Sequence, residues 1–255
     1  MLFDGLPIGT VPYLNAVPLT HGLEEPLVRL PPSQLATEFR AGRLAAALLS
    51  VTEALTSPGT DVLDGLAIAS HGPVFSVILA HRDPLEDIQE IAVDTASCTS
   101  VNLLRVLLEM WGLRPKLIPW ADYAGAGAAR NLLLIGNPAI HFRRQSHPHR
   151  VLDLGAAWWT LTGLPFVFAV WVLHRDQHRE PLRTALTTAG RSGVRQLDRW
   201  STEAGEFDAA FRRRYLGGYI RYGLGVAEKD GLDRFRSALQ GLDGAPLQAI
   251  RYVGN

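Results

Sequence analysis

The sequence is poor in sulfur: among 255 residues there is one cysteine, Cys98, and there are two methionines. A lone thiol excludes an internal disulfide and any zinc site built from several cysteines. Charge of one sign is also missing. Lys plus Arg equals Asp plus Glu, at 25 each, so neither a nucleic-acid footprint nor an acidic tail is expected, and FRRRY at 211–215 is left as a local basic candidate. The opening MLFDGLPIG shows no basic segment followed by an apolar one, and no uninterrupted apolar run reaches membrane-spanning length. Neither a secretory leader nor a membrane span is therefore expected, and the cytoplasm is the expected compartment. His147 and His149 sit in the proline-broken loop QSHPHR without an acidic cluster, so no metal site is expected. There is no Walker loop and no Gly-x-Ser-x-Gly elbow.

What is present is an ordinary globular composition, 47% apolar and 20% charged, in a chain long enough for two modest domains or one large one. Strand-length apolar runs alternate with amphipathic helical ones. Residues 7–11, PLVRL, LAAALLS and GLAIAS read as strands, with helices at PSQLATEFRAG and VTEALTS. The pattern restarts with EIAVD, KLIPW, NLLLIG and RVLDL as strands and TSVNLLRVLLEMWG and NPAIHFRRQ as helical. Two longer apolar runs, PVFSVILAHR and LPFVFAVWVLHR, suit a sheet covered on both faces. They bracket residues 84–173, as in a chain that crosses to a second lobe and returns. Beyond Asp176 the strands are expected to cease, and 178–240 read as helices broken at Gly190, Gly205, Gly217 and Gly231. The expected architecture is α/β, with residues 1–82 and 175–255 forming one lobe and 83–174 the other.

Four stretches carry polar groups at strand ends or helix starts. In IGTVPYLNAVPL, Pro12 closes a strand and Asn15 reads as the N-cap of a short helix through Leu23, with Pro18 in its first turn. In DTASCTSVNLL, a helix starts near Thr99 or Ser100, where free N–H groups suit either an anion or ordinary hydroxyl capping. In SHGPVFSV, Gly72-Pro73 makes a turn, His71 is a candidate proton carrier, and Ser76 interrupts an apolar strand with a hydroxyl that needs a partner. In LLIGNPAI, Gly136 follows a strand and Asn137-Pro138 opens a helix. The aromatic group Trp158, Trp159, Phe166, Phe168 and Trp171 reads first as core. Such a set suits a small, oxygen-rich anion.

Taken in order, IGTVPYLNAVPL, ALLSVTEAL, IASHGPVFSVIL, DTASCTSVNLLRVLL, LLIGNPAI and DLGAAWWTLTGLPFVFAVW closely resemble the chorismate dehydratases of the futalosine route to menaquinone. The resemblance spans residues 8 to about 175. It implies the two-lobed fold of type II periplasmic binding proteins, with two hinge crossings and a helical C-terminal part. It also implies loss of water from chorismate to give 3-[(1-carboxyvinyl)oxy]benzoate, with no redox cofactor and no metal. It points to Asn15 and Ser76 as the reactive pair; on the residues themselves Thr99 and Ser100, at a helix start, are expected to bind one carboxylate and Ser50 the other, with Tyr13, Gly72 and Asn137 as further candidate substrate contacts. Ala45 and Asn137 stand where relatives often carry Asp. The sister enzyme that makes 1,4-dihydroxy-6-naphthoate opens with Ser-Pro-x-x-Asn-Asp, which Tyr13-Leu14-Asn15 does not match. A solute-binding or ligand-sensing protein of the same fold is the alternative from another class.

Overall fold

Val, Leu and Ile runs between turn residues become strands, and segments of 3.6-residue periodicity become helices, in the computed structural model, which describes residues 5–23, 26–94, 98–120, 129–202, 205–244 and 247–254. The chain opens with β1 (Ile8–Thr10), a 3-10 turn (Leu14–Ala16), α1 (Val17–Thr20), β2 (Leu27–Arg29), α2 (Pro32–Arg40), β3 (Ala46–Ser50), α3 (Val51–Thr56) and β4 (Thr60–Ser70). Next come β5 (Val77–His81), β6 (Glu90–Val93), α4 (Cys98–Met110), β7 (Lys116–Pro119), β8 (Asn131–Ile135), α5 (Gly136–Arg144), β9 (Arg150–Asp153) and α6 (Leu154–Thr162). The chain ends with β10 (Phe166–His174), α7 (Glu180–Arg195), α8 (Leu197–Thr202), α9 (Ala209–Arg214), β11 (Arg221–Leu224), α10 (Val226–Asp243) and β12 (Tyr252–Val253).

The strands form two sheets of the same plan. The first runs β2-β1-β3-β10-β4-β11, with β12 added to β4, and the second runs β7-β6-β8-β5-β9. Each has a parallel trio, then one antiparallel strand, then the fourth. That antiparallel strand is β10 in the first sheet, paired with β3 and β4, and β5 in the second, paired with β8 and β9. These are the two long apolar runs. A strand with neighbours on both edges and cover on both faces has no solvated side, which accounts for the missing alternation.

Sheet membership also fixes where the lobes join. Because β5 belongs to the second sheet and β10 to the first, the chain crosses at 71–76 and returns at 163–165. The division at 82/83 and 174/175 read from the sequence falls later, because an apolar run reports burial and not which sheet accepts it. Along β5, Val77 and Leu79 join the main core while Ile78 and Ala80 join a satellite core with Leu132, Leu134 and Phe142. This is the period-2 alternation of a strand covered on both sides. Trp158 and Trp171 are fully buried, and the Trp158 indole N–H donates to the Pro165 carbonyl at 3.1 Å, so these two aromatics are core as expected.

The C-terminal part differs from its reading. Strands do not cease after Asp176, since β11 and β12 both pair with β4. Gly190 and Gly231 do not break helices; they lie inside α7 and α10 at close approaches. A Cβ on Gly231 would lie 2.0 Å from the Pro165 carbonyl oxygen, and one on Gly190 would lie 2.5 Å from a Leu66 methyl. The run FRRRY makes no joint patch: Arg212 is buried, Arg213 faces Asp198, and Arg214 lies over the Tyr219 ring. Among the described residues no helix is long and apolar enough to cross a membrane, and no group of three or more metal-ligating side chains gathers.

Glycine to alanine inside a helix ordinarily stabilises by up to about 1 kcal/mol. Gly231→Ala is expected to do the opposite, losing about 2 kcal/mol or more through overpacking against Pro165. Gly241, in the same helix with open space around it, is expected to gain stability as Gly241→Ala. Urea unfolding of both variants checks the contrast, and a shift of the same sign in both would refute it.

Candidate active site

Between the two sheets lies a cavity of about 70 Å³. Six of the eight candidates from the sequence line it: Tyr13, Asn15, Ser50, Ser76, Thr99 and Ser100, set against apolar Leu48, Ile68, Ile135 and Phe168. Among the described lining residues, Tyr13 is the one titratable side chain.

Residue placement starts at the turn after β1. Tyr13, and not Asn15, precedes the first turn, with extended backbone (φ −101°, ψ 150°) and its carbonyl accepting from Ala16 N at 3.0 Å. The proline-flanked segment winds as a 3-10 turn, so Asn15 sits within it and its side chain is released from capping. Its Oδ1 is buried with no hydrogen-bond partner, and the rest of the amide meets the hydroxyl of Tyr215. The Tyr13 ring packs on the backbone of Gly136. A Cβ there would be 2.9 Å from the ring, and φ of +61° independently favours glycine. Burial, reinforced by the charge of Asp94, pushes the Tyr13 phenol up to about 12, so it stays protonated at neutral pH.

Ser76 is the last residue of the crossing, one position before β5, and not within the strand. Phe75, immediately before it, has φ of +69° and is the sole non-glycine in that region among the described residues. Such a conformation costs about 1–3 kcal/mol and persists only where the surroundings impose it. Here the Asp153 carboxylate accepts from Val74 N (3.0 Å) and Phe75 N (2.8 Å), and the Arg143 guanidinium lies 4.1 Å over the Phe75 ring. Ser76 is thereby held with its carbonyl accepting from Gly136 N at 2.8 Å and its hydroxyl accepting from Tyr215 at 2.7 Å. Sequence reading missed both Asp153 and Tyr215. Asp153 carried a signal, an Asp ending a strand just before LGAAWW, which is an N-cap pattern; Tyr215 carried none.

Helix starts supply the positive field. α4 begins at Cys98 and brings Thr99 and Ser100 to the cavity, and α5 begins at Gly136 on its wall. The positive ends of the helix dipoles at these starts favour an anion, although the Gly136 N–H is itself taken by the Ser76 carbonyl. The turn residues 95–97, read as hydroxyl-bearing, lie outside the described residues. Thr99 also bridges the lobes: its hydroxyl accepts from Thr52 N and bonds the Thr52 hydroxyl, each at 2.9 Å. Ser50 heads α3 with no side-chain capping bond, leaving its hydroxyl for the cavity.

Residues 6–240 match the family model described as menaquinone biosynthesis. The chain belongs to the menaquinone-biosynthesis family. It is 31% identical to the chorismate dehydratase of Thermus thermophilus, over 94% of this chain and 97% of that enzyme. Among solved structures it is similar to a protein from Archaeoglobus fulgidus, with a TM-score of 0.71 and 15% identity over 94% and 97% of the two chains. It is also similar to the alkanesulfonate-binding protein SsuA of Xanthomonas axonopodis bound to MOPS, with a TM-score of 0.65 and 14% identity over 98% of each. At such identities the likeness shows the fold, the two-lobed architecture of periplasmic binding proteins.

Two of the candidate substrate contacts lie off the cavity. Asn137 is on the far side of the Tyr13-Leu14 wall: its Oδ1 accepts from Leu14 N at 3.3 Å and its amide donates to Glu206. It belongs to a clasp across the lobes in which Glu206 also meets His141, and Asp208 meets Arg144. Gly72 lies within the first crossing, with φ of +88° and its carbonyl accepting from the Ser70 hydroxyl at 2.9 Å. That turn needs a glycine for shape. His71 is exposed but has partners: its Nε2 meets Glu228 Oε1 at 2.5 Å and its ring stacks on Trp159.

Glu228 also accepts from Gly225 N at 2.9 Å, closing the start of α10. Burial pushes its carboxyl up, but the bonds from His71 and from backbone N–H groups outweigh this and hold it below the ordinary range. A depressed carboxyl adds stability above its ordinary value near ~4.3 and loses it as pH falls through the folded value. Glu228→Gln should therefore lower unfolding free energy at pH 7 by about 1–2 kcal/mol. The difference should shrink and vanish as pH falls through the depressed folded value, and urea titrations at pH 7 and through the acid range would expose a pH-independent effect if the account is wrong.

Proposed function

We propose that this chain is a carbon–oxygen lyase that removes water from chorismate, giving 3-[(1-carboxyvinyl)oxy]benzoate for menaquinone biosynthesis. The observation that carries the proposal is the near-full-length identity to the Thermus chorismate dehydratase. The composition of the interlobe cavity supports it, and the biosynthetic role of that relative supports a cytoplasmic setting.

In this elimination the C3–H bond breaks as the C4 hydroxyl departs, the electron pair of C3–H completes the aromatic ring, and the proton and hydroxide leave as water. Aromatisation drives the reaction, so the protein has mainly to orient the dianion and stabilise the leaving oxygen. The start of α4 with Thr99 and Ser100 takes one carboxylate, and Ser50 meets the other. Ser76 donates to the departing hydroxyl. Asn15 faces C3, where its Oδ1 orients the ring and relays the proton, an amide being too weak a base to hold it. A buried acceptor without a partner costs about 1–3 kcal/mol, which a hydrogen bond from bound substrate would offset. A cavity of 70 Å³ is well under the ~300 Å³ at which small-molecule pockets begin. The lobes must part to admit chorismate and close to expel water around it.

The assay is the ultraviolet trace of chorismate with purified protein, with the product identified by its mass. Asn15→Ala and Ser76→Ala should each lower kcat about a hundredfold or more. Wild-type turnover in both would overturn the residue assignment, whereas chorismate bound by the native chain without product would overturn the activity in favour of a binding protein. Gly136→Ala should push the Tyr13 ring into the cavity and raise KM about tenfold or more, and an unchanged KM would remove Tyr13 from the substrate surface.

A further inference from the structure

Tyr215 stands behind the cavity, and its hydroxyl meets both proposed reactive residues. It follows α9 and opens a π-helical turn, Tyr215–Tyr219, a rare local form that recurs at functional sites. The side chain is 1% exposed. Phe211 stacks on it at 5.7 Å between ring centres, fixing the ring plane.

The hydrogen-bond polarity can be followed atom by atom. A phenol has one proton, and that of Tyr215 goes to Ser76 Oγ at 2.7 Å. The Asn15 amide pulls the phenol pKa down as a donor does, so its N–H side faces Tyr215 while its Oδ1 is buried without a partner. Ser76, already accepting from Tyr215, keeps its own proton for another acceptor, and Ser76 lines the cavity. Accepting one hydrogen bond also strengthens a hydroxyl as donor of the next.

We propose that Tyr215 is a positioning residue that pins Ser76 and Asn15 from behind, turning the Ser76 proton and the Asn15 carbonyl oxygen toward the reacting atoms. This rests on the dehydration reading above. Tyr215 does not touch substrate; it acts through the other two. Burial holds its phenol far above the ordinary tyrosine value, against the opposing effect of its bonds to Ser76 and Asn15, so it remains a donor throughout the working pH range.

The test is steady-state kinetics of Tyr215→Phe in the native and Ser76→Ala backgrounds. In the native background kcat should fall about tenfold or more with KM changed less than about threefold. In the Ser76→Ala background the same substitution should cost clearly less than in the native chain, because one of the two groups it orients is already gone and only the effect through Asn15 remains. Independent, multiplicative effects, or a native-background kcat within about twofold of the parent, would overturn the positioning role. Should Tyr215→Phe melt far below the parent, 3-fluorotyrosine placed at 215 keeps the shape and alters the donor; an unchanged kcat then overturns the proposal. Absence of product from the native chain would instead sink the dehydration reading itself.

Discussion

The Asp153 carboxylate ties three parts of the molecule to one point. It accepts from Gly155 N and Ala156 N to cap α6, from Val74 N and Phe75 N in the first crossing, and from the Arg143 guanidinium of α5 at 3.2 Å. Bonds to an ionised acceptor are roughly twice as strong as neutral ones. Together with the stacked Arg143 they outweigh the cost of left-handed backbone at Phe75, and the next residue is Ser76. The aim of that hydroxyl therefore depends on a carboxylate on the second lobe, not on the rotamer of a loop side chain. Loss of Asp153 would leave several inward-facing N–H groups without acceptors and free the crossing to relax.

Around this point the described lining of the interlobe cavity is apolar with a few polar groups, none of them charged. Its described surface bears hydroxyls, an amide and helix starts on an apolar wall, while the arginines nearby are engaged elsewhere: Arg143 with Asp153 and Arg144 with Asp208. A dianion held by dipoles alone sits in a shallower well than one clamped by guanidinium groups. On the proposed chemistry that suits turnover, since the aromatic product carries the same two carboxylates as the substrate and must leave. The clasp made by Glu206, Asp208, His141 and Arg144 closes the same cleft from outside with partly exposed groups, whose attraction is modest and screened by salt.

Much of this was legible in the sequence where the determinant is local. The period of α2 and α4, the strands β3 and β8, and the hydroxyls at the start of α4 follow from patterns within about fifteen residues. Misreadings arose where a neighbour in space decides. Asn15 has the chemistry of a cap, but the two prolines wind its segment as a 3-10 turn. Gly190 and Gly231 look like breaks but admit Leu66 and the Pro165 carbonyl against helices that continue. Asn137 opens a helix as read, yet the Tyr13 ring on Gly136 shuts it out of the cavity. Tyr215 lies 139 residues from Ser76, beyond any spacing rule.

The order of strands in the first sheet sets a schedule for synthesis. β10 pairs with β3 and β4 in the middle of that sheet, yet it is encoded after every strand of the second sheet. Residues 77–153 hold all five strands of that sheet and leave the ribosome before β10 does, while β1 to β4, already emerged, wait with an open seam. The N-terminal lobe thus nucleates early and finishes late, and its unfilled seam is the stretch most in need of a chaperone while the chain is growing.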